Sequence, residues 1–420
     1  MPGLDPNSVI WIVAAVATAG IIFRPWRVPE YVWALTAAVL LTGLDFIPWH
    51  SALGAIAQGI DVYLFLIGMM VLAELARQEG LFDWLAMYAA QHAKGSGQRL
   101  FDLVFLVGTL VTVFLSNDAT AVVLTPAVYA AAKAAKAKPL PYLFVCAFIA
   151  NAASFVLPIS NPANLVVFGS HMPPLSTWLW HFTLPSIAAI SLTYVALRLS
   201  QRKYLGQPLE TVITLQPLSS GARLTAFGIL LTAVVLLLAS AFDLPLGLPT
   251  FCAGITTASL IHLRQRMNPM PVLKGVSWSV LPLVGGLFVL VQGLTQTGAI
   301  DSLAQHLATV AERSSEQATW GAGMLVAVAS NLINNLPMGL IAGSVGHIAQ
   351  LPTHVTSALL IGVDLGPNLS ITGSLATLLW LIAVRREGEH VGPMDFLKVG
   401  IVVMPPALIG ALAALSVSGS

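Results

Sequence analysis

Charge is what this chain has least of. Among 420 residues there are 19 Lys and Arg and 18 Asp and Glu, 9% in all, where a soluble domain carries about 25%. With 57% hydrophobic residues and a mean hydropathy of +0.84, the molecule is solvated mostly by lipid and reads as an all-α integral membrane protein. The net charge of +1 says nothing about partners, because the placement of charges matters more than their sum. No nucleic-acid partner is expected. Cysteine is nearly absent. Cys146 and Cys252 both lie in apolar stretches, outside any CxxC or Cys/His cluster, which argues against a disulfide framework or a structural zinc. No metal or cofactor is expected. The chain has no GxxxxGK[ST] loop, HExxH or GxSxG, so it does not read as an enzyme and hydrolyses no ATP itself. A cleavable signal peptide is not expected, since the first apolar run, residues 9–23, follows Asp5 rather than a basic region.

What is abundant is apolar sequence in span-sized pieces. About twenty residues cross a bilayer core. Residues 8–23, 30–48, 60–78, 179–199, 223–242, 247–263, 277–297 and 397–416 read as full crossings. Residues 141–169 and 355–384 are long enough to cross but carry Gly, Pro and Asn in their middles, as broken helices do. Residues 100–132 and 317–346 are too short for two crossings and too long for one, which suits re-entrant hairpins. With the N-terminus outside, this arrangement puts every Lys and Arg except Arg313 on the cytoplasmic side. The positive-inside rule thus favours about ten crossings, two re-entrant hairpins and both termini outside.

The two halves resemble each other. "VYLFLIGMMVLAELARQEGLFDWLA" (62–86) aligns without a gap on "VLPLVGGLFVLVQGLTQTGAIDSLA" (280–304), sharing Gly68/Gly286, Gly80/Gly298 and Asp83/Asp301 among others. Under the topology above the copies start on opposite sides, giving inverted repeats, the plan of secondary transporters with a midplane site. The expected domains are N-terminal scaffold helices (1–58), a first repeat (59–200), a linker with two scaffold helices (201–274) and a second repeat (275–420). Residues 200–222 form the most polar connection.

Each half holds two polar breaks: "FLSNDATAVVLTP" (114–126) and "ANAASFVLPISNPANLVVFG" (150–169), then "SNLINNLPMG" (330–339) and "GVDLGPNLSITGSLATLLW" (362–380). Non-helical backbone survives at membrane depth only inside protein or beside a wet cavity. Four converging breaks would build a cup of amides, hydroxyls and helix ends. The candidate substrate-binding residues are Asn117, Asn151, Asn161, Asn334, Asn335, Thr372 and Ser374. Any one of these could instead be glue between helices. Asp118 and Asp364 are the acids placed deepest in the membrane. A carboxylate there can trade a proton near neutral pH or ligate sodium. Asp364 is the stronger candidate, because its "DLGPN" context puts a helix break beside the carboxylate. Neither broken pair contains Arg or Lys, which leans towards a neutral or weakly charged cargo. His171, His181, His262, His347 and His354 read as interfacial.

"SNDATAVVLTP", "SNLINNLPM" and above all "GVDLGPNLSITGSLATLLWL" closely resemble the arsenical pump membrane protein family, arsenite/antimonite efflux transporters of the ion transporter superfamily. The resemblance runs from about residue 30 to the end. One departure is Val363, where family members often carry Cys. The resemblance implies a scaffold and a mobile transport domain, export of trivalent arsenic or antimony hydroxide in exchange for a proton, and a bacterial inner-membrane location. It leaves room for a soluble arsenite-stimulated ATPase and for a homodimer. A sodium/proton antiporter or an organic-anion transporter of the same superfamily is the alternative.

Overall fold

The computed structural model describes residues 5–169, 172–211, 213–266 and 268–418; His171 lies outside them. Among the described residues the regular elements are all helical, apart from one isolated antiparallel bridge, Ser96 to Pro208. Hydrocarbon offers a peptide group no hydrogen bond, and a helix satisfies its own.

The first half begins with α1 (Pro6–Phe23), α2 (Glu30–Gly43), α3 (Trp49–Gln58) and α4 (Ile60–Gln78). It continues with α5 (Leu81–His92), α6 (Gly97–Phe114), α7 (Asn117–Ala119), a π-helical turn over Thr120–Leu124 and α8 (Thr125–Ala134). Then come α9 (Leu140–Ala152), α10 (Pro162–Phe168) and α11 (Leu175–Leu205). The second half contains α12 (Ser220–Ala241), α13 (Gly247–Gln265), α14 (Met270–Gly275), α15 (Val280–Gln296) and α16 (Ala299–Arg313). It closes with α17 (Ser315–Ile333), α18 (Asn335–Ile348), α19 (Thr353–Leu365), α20 (Leu375–Arg386) and α21 (Pro393–Ser418).

By length and composition, α1, α6, α11, α12 and α21 can each cross a membrane alone. Two bent pairs, α3–α4 at 46° and α15–α16 at 73°, raise the number to seven. The second bend turns at Gly298, and the join of α4 to α5 turns at Gly80, with φ of 75° and 72° respectively. This left-handed conformation favours glycine. Of the remaining histidines, His262 and His347 lie in the last turns of α13 and α18, and His181 and His354 lie in α11 and α19.

Packing is pairwise: α4 lies on α13, α2 on α15, α11 on α21, α6 on α9, α17 on α19 and α10 on α18. Outward faces such as Phe227, Leu230, Val234 and Leu238 on α12 are exposed and apolar, as lipid contact requires. The polar connection after α11 folds back over the first half. Leu209 N–H donates to Gly95 O at 2.9 Å and Glu210 N–H to Ala135 O at 3.0 Å. The Lys136 ammonium pairs with Glu210 at 2.8 Å, and Gln91 donates to Ile213 O at 3.4 Å.

The end of α19 sits against the main chain of α17, and a Cβ on Gly366 would collide with the Ala327 backbone. Gly366→Leu should therefore lower the thermal stability of the solubilised protein by at least the 1–3 kcal/mol typical of overpacking, roughly. Gly54→Ala, where an added Cβ meets nothing within 4 Å, should leave the melting temperature unchanged or raise it. Equal melting for both variants would contradict the close approach.

Candidate functional site

The site grows out of places where helices stop. Helix α6 ends at Phe114, and Ser116 then caps the short α7, its Oγ accepting from Ala119 N–H at 3.1 Å. Helix α9 ends at Ala152, before the Pro158 and Pro162 that forbid an interior helix there. Asn161 caps α10 by accepting from Ala163 N–H at 3.0 Å. In the second half Asn334, at φ 76°, accepts from Leu336 N–H at 3.3 Å and starts α18. Asn is among the few residues other than Gly that tolerate such a φ. Past two short 3₁₀ turns, Ser374 caps α20 and accepts from Thr377 N–H at 3.1 Å.

The first residues of these four helices share a narrow, partly open crevice. Asn117 and Asp118 come from α7, Asn161 and Pro162 from the start of α10, Asn335 and Leu336 from α18, and Leu375 and Ala376 from α20. Leu66 of α4 and Val280 and Val284 of α15 complete the wall. Asp118 is the single charged residue in this lining. Neither its carboxylate nor the Asn335 amide has a hydrogen-bond partner among the described residues. The Asn117 side-chain oxygen, Oδ1, accepts the Asp118 N–H at 2.9 Å.

Asp364 is placed differently. It is fully buried and is absent from the lining of this crevice. Ser154 Oγ donates to its Oδ2 at 2.6 Å and Asn161 Nδ2 to its Oδ1 at 2.8 Å. Asp364 therefore reaches the crevice only through Asn161, and the pair ties the end of α19 to the start of α10. Asn151 and Ser374 form a second tie: Ser374 Oγ donates to Asn151 Oδ1 at 3.3 Å, and Asn151 Nδ2 donates to Asn368 Oδ1 at 3.0 Å. Thr372 Oγ1 donates to Asn331 O at 3.3 Å, and its own carbonyl accepts from Asn334 Nδ2 at 3.2 Å. Asn334 lines a neighbouring crevice. Of the nine candidate residues, Asn117, Asp118, Asn161 and Asn335 thus share one opening; Asn334 faces the next; Asn151, Thr372, Ser374 and Asp364 form the surrounding hydrogen-bonded frame.

Sequence reading passed over Ser154, Asn164, Asn331 and Asn368 as site residues. Asn164 Nδ2 holds the carbonyls of Ser154, Leu157 and Pro158 at 2.9, 3.2 and 3.2 Å. Asn331 Nδ2 donates to Ala327 O at 2.8 Å and Gly366 O at 2.9 Å. A signal was present in the spacing: Ser154 follows Asn151 by three residues and Asn368 follows Asp364 by four, one helical turn in each case. Glu74, a buried acid of α4, accepts from Arg77 at 2.7 and 2.5 Å and from Gln78 at 2.7 Å, so its carboxylate is already paired.

Broken helices that meet at a polar crevice within an apolar helical body define a membrane transporter. Residues 10–384 match the family described as "Citrate transporter", and the chain belongs to that family, with arsenical pump membrane proteins among its relatives. One such pump, from Escherichia coli, is 30% identical over 92% of this chain and 91% of its own length. Another, from Yersinia enterocolitica, is 29% identical over 91% of this chain and 90% of its own. The fold is shared with the YdaH transporter of Alcanivorax borkumensis, at a TM-score of 0.62 and 15% identity over 98% of each chain.

The frame and the opening should separate on mutation. Ser154→Ala removes one of two donors to a buried carboxylate, a loss worth about 1.5–3 kcal/mol, and should lower the melting temperature. Asn335→Ala removes an amide with no hydrogen-bond partner among the described residues and should cost less stability than Ser154→Ala. The reverse order would refute this division.

Proposed function

We propose that this protein is a secondary active exporter of trivalent arsenic and antimony hydroxides, driven by proton entry through alternating access. The observation that carries the reading is the crevice itself: amides and one unpaired carboxylate, with no basic side chain in the lining. Arsenite as As(OH)3 is uncharged at neutral pH and presents three hydroxyls, each able to donate and accept. Asn117 and Asn335 can meet those hydroxyls in either role, and an ionised Asp118 can accept from one. The arsenical pump relatives point to the same cargo. The "Citrate transporter" description favours a second reading, an organic anion as cargo. Against it, a multiply charged carboxylate would face Asp118 with no guanidinium or ammonium to compensate.

Coupling follows from the two states of Asp118. Ionised, its carboxylate adds an acceptor for cargo; protonated, it turns one acceptor into a donor and weakens that contact. A proton can drive export only through such a difference in affinity. Cargo loads against the ionised form inside, protonation outside releases it, and the proton then returns inward. Each entering charge contributes about 2.3 kcal/mol per 100 mV. Asp364 belongs to the same coupling unit through Asn161, because a shift of one carboxylate's surroundings moves the amide shared with the crevice.

The proposed topology keeps ten crossings, two hairpins (100–132 and 317–346), two broken helices (141–169 and 355–384) and the four domains drawn from the sequence. Supporting an inverted repeat, Gly80 and Gly298 adopt the same left-handed turn at aligned positions. Packing partners also correspond, α4 on α13 and α15 on α2. Since α6 is long enough to cross by itself, the first hairpin rests on charge placement rather than on length. The placement in the inner membrane, and any ATPase or second subunit, remain part of this proposal.

Expression in an arsenite-sensitive host should confer resistance, and everted vesicles should accumulate arsenite when a proton gradient is imposed. Asp118→Asn should abolish uphill accumulation while leaving arsenite-dependent thermal stabilisation detectable. Accumulation that follows sodium, or that survives in both Asp118→Asn and Asp364→Asn, would refute proton coupling through these carboxylates.

For topology, single cysteines replacing Gly95 and Lys138 should both label from the cytoplasmic face. Labelling from opposite faces would make 100–132 a crossing.

A further inference from the structure

Two short contacts converge on one hydroxyl. Ser154 Oγ lies 2.6 Å from Asp364 Oδ2 and 2.7 Å from the main-chain oxygen of Asn151. A serine has a single hydrogen to donate. A carbonyl oxygen has none, and neither has an ionised carboxylate. One hydrogen therefore faces two acceptors and can bond only one of them at a time. Ser154 and Asp364 are wholly buried and Asn151 is 1% exposed, so bulk water does not reach the gap to supply a second donor.

The charge of Asp364 decides which contact is the bond. When the carboxyl is ionised, the hydroxyl turns to Oδ2, because a hydrogen bond to a charged acceptor is about twice as strong as one between neutral groups. The Asn151 carbonyl then keeps only the Ser154 N–H, at 3.3 Å. When Oδ2 carries a proton, the acid donates to Ser154 Oγ and the hydroxyl turns to Asn151 O. Both contacts are then hydrogen bonds. Ionisation breaks one O–H bond, on Oδ2, and the proton passes to solvent. Asn161 Nδ2 can donate to Oδ1 in either state, so the difference falls on Ser154. Among the described residues, no charged side chain acts on this carboxylate from α9, α10, α11, α17, α18 or α21; Ser154 and Asn161 are the groups that do. Cys146, the ionisable side chain nearest to Asn151 along α9, is turned to Tyr142 O at 3.8 Å.

We propose that Ser154 is a positioning residue whose hydroxyl is a two-position switch, set by the proton on Asp364 and read at the Asn151 carbonyl. Asn151 gives the switch an output. Its side chain accepts from Ser374 Oγ, at the cap of α20, and donates to Asn368 Oδ1. The residue whose carbonyl gains or loses the hydroxyl thus also braces the start of the other broken helix. The path runs from Asp364 on α19 through Ser154 and Asn151 at the end of α9 to Ser374, crossing between the halves of the chain twice. Its use in transport rests on the proton-coupled export reading, which it deepens by giving one coupling acid a mechanical partner.

Infrared difference spectroscopy of the purified protein reads both ends of the switch. Asparagine carrying carbon-13 in its main-chain carbonyl is incorporated, and spectra are recorded across a pH titration. Loss of a band in Asp364→Asn identifies the Asp364 acid, and loss of a labelled band in Asn151→Gln identifies the Asn151 carbonyl. In the wild-type protein the Asn151 band should shift in step with the titration of Asp364. In Ser154→Ala the acid should still titrate while the Asn151 band stays fixed; a purely structural serine would lower stability without uncoupling the two. An Asn151 band that ignores the titration in the wild-type protein, or still follows it in Ser154→Ala, overturns the switch. So does an Asp364 that never titrates while the protein stays folded. The wild-type measurement can fail by itself, so the test survives a Ser154→Ala variant that does not fold. Arsenite uptake into everted vesicles is measured alongside. A coupled Asn151 band in a protein that moves no arsenite overturns the export reading and leaves the switch standing.

Discussion

Everything distinctive in this structure follows from one requirement: backbone groups freed by a broken helix inside hydrocarbon must find partners within the protein. Each of the four breaks solves it locally, with Ser116, Asn161, Asn334 or Ser374 folding back onto the helix it starts. The frame then solves it across the molecule. Asn164 gathers three carbonyls from its own break, and Asn331 takes the Gly366 carbonyl from a neighbouring one. At the crevice, the side chains of Asp118 and Asn335 have no hydrogen-bond partner among the described residues, and they face the same space.

Sequence patterning made much of this legible. Low charge, span-sized apolar runs and the four interrupted segments define an all-helical membrane protein, and the residues at the breaks are those that start α7, α10, α18 and α20. What patterning could not separate was frame from lining. Asn151 and Asn161 are both asparagines in the same motif, yet one bonds Ser374 and Asn368 while the other meets the crevice. The difference is the direction of a side chain after a turn, which depends on the φ and ψ of several residues rather than on spacing. The same limit applies to the acids. The "DLGPN" context indicated a break beside Asp364, but the partners that enclose it come from the other half of the chain.

The long helices α4 and α15 contribute to the crevices in a different manner. Leu66, Val280, Val284, Leu283 and Leu287 offer only hydrocarbon to the half-helices they face. Directional bonds are concentrated among the broken elements themselves.

The connection after α11 carries a consequence for how the molecule is made. Its bonds reach back to Gly95 and Ala135, segments synthesised earlier, so the strap can set before any of the second half exists. The Asp364 bonds to Ser154 and Asn161 span 210 and 203 residues. At translation rates of about 5–20 residues per second, the polar break around Ser154 waits on the order of ten to forty seconds for its acid to be made. During that interval something other than the finished protein must shelter those amides from lipid. The insertion machinery of the cell is thereby part of the folding pathway of this site.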